Sequence, residues 1–178
     1  MASSLSDLLS GSNGTLFDSH TSDSGHTWII HPGVRTSFTE IQIGGGTLPY
    51  NTPTDTSKLY YSSAEHVSAE YDISVVFRRD SGSSGNFLYV IGRLSTTEDT
   101  IYEIRIGRNT LGAGVELNFQ GSINNSYSFL DTANVSAAVD GVDHTLKFEI
   151  RDATKKIYID DVLVITSANN DITGAGRA

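Results

Sequence analysis

The sequence predicts an all-β fold, a sandwich or barrel of antiparallel strands. Three observations carry this expectation. Short segments alternate between apolar and polar residues: Ile73, Val75 and Phe77 interleave with Ser74, Val76 and Arg78, and Leu146, Phe148 and Ile150 with Lys147, Glu149 and Arg151. A period of two turns one set toward a core and the other toward water. Glycine, serine and asparagine separate these segments, and 17 Gly against 3 Pro suit a chain of many tight turns. Helical signal is weak throughout. Leu5, Leu8 and Leu9 sit in a segment too brief to hold a helix alone, so residues 1–12 are expected to form an opening strand, or an arm or short segment that docks on a neighbour.

The elements follow in order. Strands are expected near 15–17, 26–31, 38–43 and 58–62, where apolar or β-branched residues lie between turn formers. The 71–79 segment alternates cleanly. Residues 79–86 are rich in Ser and Gly and read as a long hairpin loop, because strong strands flank them. Residues 87–91 are continuously apolar, which places the 87–94 strand centrally or beneath a loop or partner. In 101–106, Tyr102, Ile104 and Ile106 alternate with Glu103 and Arg105. In 114–119, Val115, Leu117 and Phe119 alternate with Glu116 and Asn118. A strand at 127–130 precedes the last three, at 145–151, 155–159 and 162–166. Asp160-Asp161 supplies the two-residue turn between the final pair, since Asp tolerates the left-handed backbone such turns need. No domain boundary interrupts 13–178.

Composition narrows function. With 178 residues and 38% hydrophobic content, one domain with a substantial core is expected. No apolar run is long enough for a membrane helix, and the start lacks the basic and apolar regions of a signal peptide. The absence of cysteine removes disulfides and thiolate chemistry. A net charge of −9 argues against nucleic acid and anionic membranes as partners.

Two stretches carry a family resemblance. His144-Thr145-Leu146 with Ile157-Tyr158-Ile159-Asp160-Asp161-Val162-Leu163-Val164 resembles the closing signature of concanavalin-like, laminin-G-type jelly rolls. Asn13-Gly14-Thr15-Leu16-Phe17, followed by His20-Thr21-Ser22-Asp23-Ser24-Gly25 and Trp28, is similar to an opening found in jelly-roll domains of tailed-phage structural proteins. Ser22 stands where that pattern has Pro. The resemblance spans nearly the whole chain and implies a two-sheet antiparallel jelly-roll sandwich. It implies a non-enzymatic virion protein, a head decoration or tail-fibre module, that docks on other virion proteins or self-associates. The alternative is a carbohydrate-binding module for a host surface glycan, and the alternative location is a bacterial surface. The family continues past Ile172-Thr173-Gly174 into a further strand, so an edge completed by a neighbour or by the N-terminal segment is expected here.

Tyr50, Tyr61, Asn124, Asn125 and Tyr127 are the glycan candidates, because a tyrosine ring offers an apolar face and its amide neighbours bond hydroxyls. Leu5, Leu8 and Leu9 are the candidates for a protein interface. Trp28, in an apolar strand, is expected in the core. His20, His26, His31, His66 and His144 lack zinc-site spacing. No cofactor is expected, apart from a calcium ion that the resemblance leaves open, with Asp18, Asp23, Asp131, Asp140 and Asp171 as oxygen donors. Glu70-Tyr71-Asp72 begins like a glucanase motif, but Ser74 and Val75 stand where its second Glu belongs. Glu103 and Glu116 are the remaining carboxylates for a glycosidase pair. Asn13, Asn124 and Asn134 open N-glycosylation patterns of the kind that arise by chance in so polar a chain.

Overall fold

Ten strands follow a single 3-10 turn at Phe17–Ser19 in the computed structural model, which describes residues 7, 12, 17–30, 60–63, 68–78, 88–95, 100–108, 114–124, 126–138, 141–174 and 176. The strands are β1 (Trp28–Ile30), β2 (Tyr60–Ser62), β3 (Tyr71–Arg78), β4 (Leu88–Gly92), β5 (Ile101–Arg108), β6 (Val115–Ile123), β7 (Ser126–Val135), β8 (Asp143–Ile150), β9 (Lys155–Ile159) and β10 (Val162–Ser167). No α-helix occurs among the described residues. One four-stranded sheet has the order β10-β9-β8-β3 and a second has β4-β5-β6-β7, while β1 and β2 form a separate ribbon. All pairings are antiparallel.

The alternation seen in the sequence sets the core. Phe148 lies opposite Ile73 on β3 and Ile157 on β9, and Phe119 lies opposite Ile104 on β5. Tyr102, Ile104, Leu117, Phe119, Leu146, Phe148, Ile150 and Ile157 are fully buried between the sheets. Phe119 meets Phe148 edge-on at 5.7 Å and 71°, so the sheets are joined by an aromatic contact at mid-core. Each such side chain stabilises the sandwich by about 1.5–3 kcal/mol through burial. Gly92 leaves room where β4 passes β8: a Cβ there would lie 2.4 Å from the tip of the buried Ile150 side chain, which would have to shift.

Turn chemistry fixes the register. Asp160 and Asp161 have φ of 49° and 64°, the left-handed pair that a two-residue hairpin needs. The Asp160 carboxylate accepts from the Thr145 N–H at 2.8 Å and pairs with His144 Nδ1 at 2.7 Å, tying the β9–β10 hairpin to β8. Those two bonds, the backbone one foremost, hold its pKa below the ordinary carboxylate value.

Several expectations are revised. Among the described strands β4 lies at the edge of its sheet rather than centrally, and its second side is covered where Ile91 joins Leu94 and Ile101 in a small cluster, in keeping with the alternative of a covered strand. Phe17 lies in a 3-10 turn rather than a strand. β6 and β7 run longer than 114–119 and 127–130, because a β-bulge between Phe119 and Gln120 breaks the alternation without ending the ladder. The expected 38–43 strand lies outside the described residues.

Asp7 and Ile172 are each held by packing or hydrogen bonds. The Asp7 carboxylate accepts from Trp28 Nε1 at 2.6 Å and contacts His20 Nε2 at 2.8 Å. Phe17 stacks on Trp28 at 4.7 Å, but Trp28 is half-buried and belongs to neither hydrophobic cluster, so its expected place in the core is revised. In the turn between them, the Ser22 hydroxyl accepts from the His26 N–H at 3.0 Å, a local bond that the proline of the family pattern cannot make. At the other end, Ile172 is buried in the main core.

Candidate functional site

The two sheets turn different outer faces to the surroundings. On β10-β9-β8-β3 the part of that face around Lys147 is a closed polar network. Lys147 Nζ binds Glu149 Oε1 at 2.7 Å, the Tyr158 hydroxyl donates to Glu149 Oε2 at 3.0 Å, and Arg151 bridges Asp72 at 2.8 Å. Lys147 also sits over the Tyr158 ring, 5.2 Å from its centre. The hydrogen bond from Lys147 is the main cause holding Glu149 below its ordinary pKa, and the same bond raises Lys147. These groups satisfy one another.

The outer face of β4-β5-β6-β7 is built otherwise. Register places Tyr89 beside Arg105, Arg105 beside Asn118, and Asn118 beside Thr132 across four strands. One step along, Ile91, Glu103, Gln120 and Phe129 form a second row. Glu103 is 6% exposed although its strand neighbours Tyr102 and Ile104 face the core, so both sides of β5 are covered at that point. Asn118 Nδ2 donates to Glu116 Oε1 at 2.9 Å, and Thr132 Oγ1 donates to the Leu117 carbonyl at 2.9 Å. The face grades from a covered end at Ile91, Ile101 and Glu103 to an open rim on β7.

The rim is aromatic. Tyr127 is 45% exposed and Phe129 61%. They lie opposite Ser122 and Gln120, two residues apart on the same side of β7 and about 7 Å apart along the strand. The bulge creates this arrangement. Without the extra residue, the alternation that turns Ala133 inward would continue through Asp131 to Phe129; with it, Leu130 packs on the core and Phe129 faces out. Two exposed rings beside amide and guanidinium groups form a surface that stacks on an apolar face and hydrogen-bonds at its edges.

Of the expected glycan residues, the structure brings two together. Asn124 is exposed at the β6–β7 turn, with φ of 50°, and its N–H donates to Thr100 Oγ1 at 3.3 Å. Tyr127 follows on the same hairpin. Tyr61 lies on β2, opposite Ile29 and in a different sheet. Tyr50 and Asn125 fall outside the described residues, as do Leu5, Leu8 and Leu9. Phe129, Gln120, Asn118, Arg105 and Tyr89 were missed as ligand candidates. The available signal was Ser126-Tyr127-Ser128-Phe129, two aromatics in alternation with serines on a hairpin arm.

Glu103 and Glu116, the expected glycosidase pair, lie apart. Glu103 lies opposite Gln120, and Glu116 lies opposite Gly107. That register separates them by four residues, roughly 13 Å along the strands, beyond the spacing of about 5–9.5 Å that glycosidase pairs use. Asp72 is engaged by Arg151. Among the calcium candidates, Asp131 accepts from the Thr132 N–H at 2.8 Å and Asp171 from Asn169 at 2.6 Å, while Asp23 lies in an exposed turn. The backbone of Asp18 belongs to the 3-10 turn, and Asp140 lies outside the described residues. Among the described residues no three histidine or carboxylate groups converge.

No protein-family model and no curated protein matches this chain. Solved structures do. Carbohydrate-binding module CBM66 from Bacillus subtilis superposes with a TM-score of 0.58 at 16% identity, over 82% of this chain and 81% of that one. A Bacillus licheniformis beta-glucanase superposes with a TM-score of 0.55 at 13% identity, over 94% of this chain and 83% of that one. Both have concanavalin-like jelly-roll folds, and this chain has the same architecture.

Proposed function

We propose that this protein is a non-catalytic carbohydrate-binding module. The observation that carries the reading is the pair Tyr127 and Phe129, exposed side by side at the rim of a sheet face furnished with Gln120, Asn118 and Arg105. The rings supply a flat apolar platform, and the planar polar groups supply donors and acceptors for hydroxyls. A carbohydrate-binding module among the structures of like fold supports the reading. The separation of Glu103 from Glu116 supports its non-catalytic part.

The test is affinity electrophoresis against a panel of neutral and acidic polysaccharides. Retention by at least one polymer, weakened about 5–30-fold by the double variant Tyr127→Ala/Phe129→Ala, is the expected result for loss of about 1–2 kcal/mol of stacking. Retention unchanged in the double variant, or no retention by any polymer, would overturn it.

A second reading is docking onto virion proteins or copies of itself, on a phage particle or a bacterial surface. Its support is the resemblance of the chain's opening, together with Val76 and Leu163, exposed on the outer face of the first sheet, and Val162 at the adjoining hairpin. Light scattering of the native protein tests it. A stable oligomer disrupted by Val76→Lys supports this reading, and a monomer at all concentrations opposes self-association.

A further inference from the structure

On the other side of β7 from the two aromatics, a cleft of about 130 Å³ opens between the β6–β7 hairpin and the chain beyond β10. Its lining includes Ser126, Ser128, Leu130, Tyr102, Asn169 and Asp171. The hairpin wall is regular sheet. The opposite wall, 169–172, has no regular structure, yet three buried side chains fix it. The Tyr102 hydroxyl donates to Asn169 Oδ1 at 2.8 Å and accepts from the Ile172 N–H at 3.2 Å. Lys155 Nζ, fully buried, donates to Asn170 Oδ1 at 3.1 Å and lies 5.2 Å from the centre of the Tyr102 ring. Arg93, 1% exposed, donates through its guanidinium to the Ile172 carbonyl.

Burying two cations and a phenol is costly. Burial pushes Lys155 down to about 8, with the nearby Arg93 charge adding to it, and raises Tyr102. Together the three hold an irregular loop at a fixed distance from the hairpin. That is the preorganisation a binding wall requires. Leu130 provides an apolar side, Ser126 and Ser128 each offer a donor and acceptors, and Asp171 offers acceptors. The cleft is small and open to solvent, so at most one ring seats in it.

We propose that this cleft is a second binding site that takes one neutral sugar residue, separate from the aromatic face across β7. The ligand class rests on the carbohydrate reading, and the location rests on the cleft itself.

The experiment is an amide chemical-shift titration of the full chain. The probes are D-glucose, D-galactose, D-mannose and D-fructose and their methyl glycosides, at millimolar concentrations. The expected result is saturable shifts at Ser126, Ser128, Asn169 and Asp171 with at least one probe. They should be abolished in Ser128→Leu and kept in Tyr127→Ala/Phe129→Ala. Ser126→Leu is the second filling variant, and both sites are exposed strand positions where the folded spectrum should persist. Shifts from methyl glycosides as well as free sugars identify a residue within or at the end of a chain; shifts from free sugars alone identify a free monosaccharide. Both uphold the cleft. Shifts confined to Asn118, Gln120 and Phe129 overturn the cleft and leave the carbohydrate reading standing. Cleft shifts without polysaccharide retention uphold the cleft and count against the aromatic face. No shifts at any residue overturn the cleft.

Discussion

The outer faces of the two sheets are made of similar residues and differ in how those residues are engaged. On the β8–β9 side, Glu149 bonds Lys147 and Tyr158 at 2.7 and 3.0 Å, and the Tyr158 ring lies under the Lys147 ammonium. On the β6–β7 side, Phe129 and Tyr127 stand out from the sheet at 61% and 45% exposure beside amide side chains. A polar sheet face is therefore not by itself a binding face. The bulge in β7 makes the difference: it puts Leu130 on the core side and turns Phe129 outward.

The comparison assumes one core beneath both faces, and the largest expected effect tests that assumption. Phe148→Ala removes the ring that meets Phe119 across the sandwich and should cost about 3–5 kcal/mol. Chemical denaturation should show both sheets unfolding in one transition of reduced midpoint. Two separate transitions would show that the sheets are independent.

Buried cations at the end of the sandwich give a second test, through pH. Lys155 has a folded pKa of about 8 against 10.5 in an ordinary environment. The unfolded chain therefore binds more protons between these values, and stability should rise as pH increases through this window, by on the order of 1–3 kcal/mol. Tyr71 acts in the opposite sense. Burial raises it to about 12, so above pH 10 the folded state holds its proton longer and stability should fall. A maximum near pH 10 in the wild type, with the rising limb lost in Lys155→Met, is the expected outcome of denaturation at a series of pH values.

A smaller effect separates ligand surface from scaffold. Tyr127→Ala/Phe129→Ala should change unfolding free energy by about 0.5 kcal/mol or less, since both rings are exposed, while weakening glycan retention as above. The smallest effect belongs to the closed face. Glu149→Gln removes a partner of Lys147 and Tyr158 at partly exposed positions, and a melting experiment should register a loss of about 1 kcal/mol or less.

Much of the architecture was legible because burial follows a strict period of two. Ile73, Val75 and Phe77, then Val115, Leu117 and Phe119, then Leu146, Phe148 and Ile150, all pack inward as their alternation requires. The Asp160-Asp161 turn was legible because few residues accept its backbone angles. The bulge was not. Nothing in Phe129-Leu130-Asp131 marks an extra residue, so β7 was read short and Phe129 was not read as a surface ring. Residue type alone makes Tyr127 and Asn124 candidates, whereas Asn118 and Gln120 become candidates only once register sets them beside Phe129. Arg93 and Lys155 are cations whose burial depends on contacts up to 79 residues away in sequence, beyond what local pattern conveys.

The most direct test compares single substitutions on the two faces. The affinities of Phe129→Ala and Tyr158→Ala for the best-retained polysaccharide should be measured side by side, with both folds verified. The account predicts weaker binding for Phe129→Ala, by about 5–30-fold, and wild-type affinity for Tyr158→Ala. Wild-type affinity in Phe129→Ala with loss in Tyr158→Ala would place the ligand on the opposite sheet and contradict the account.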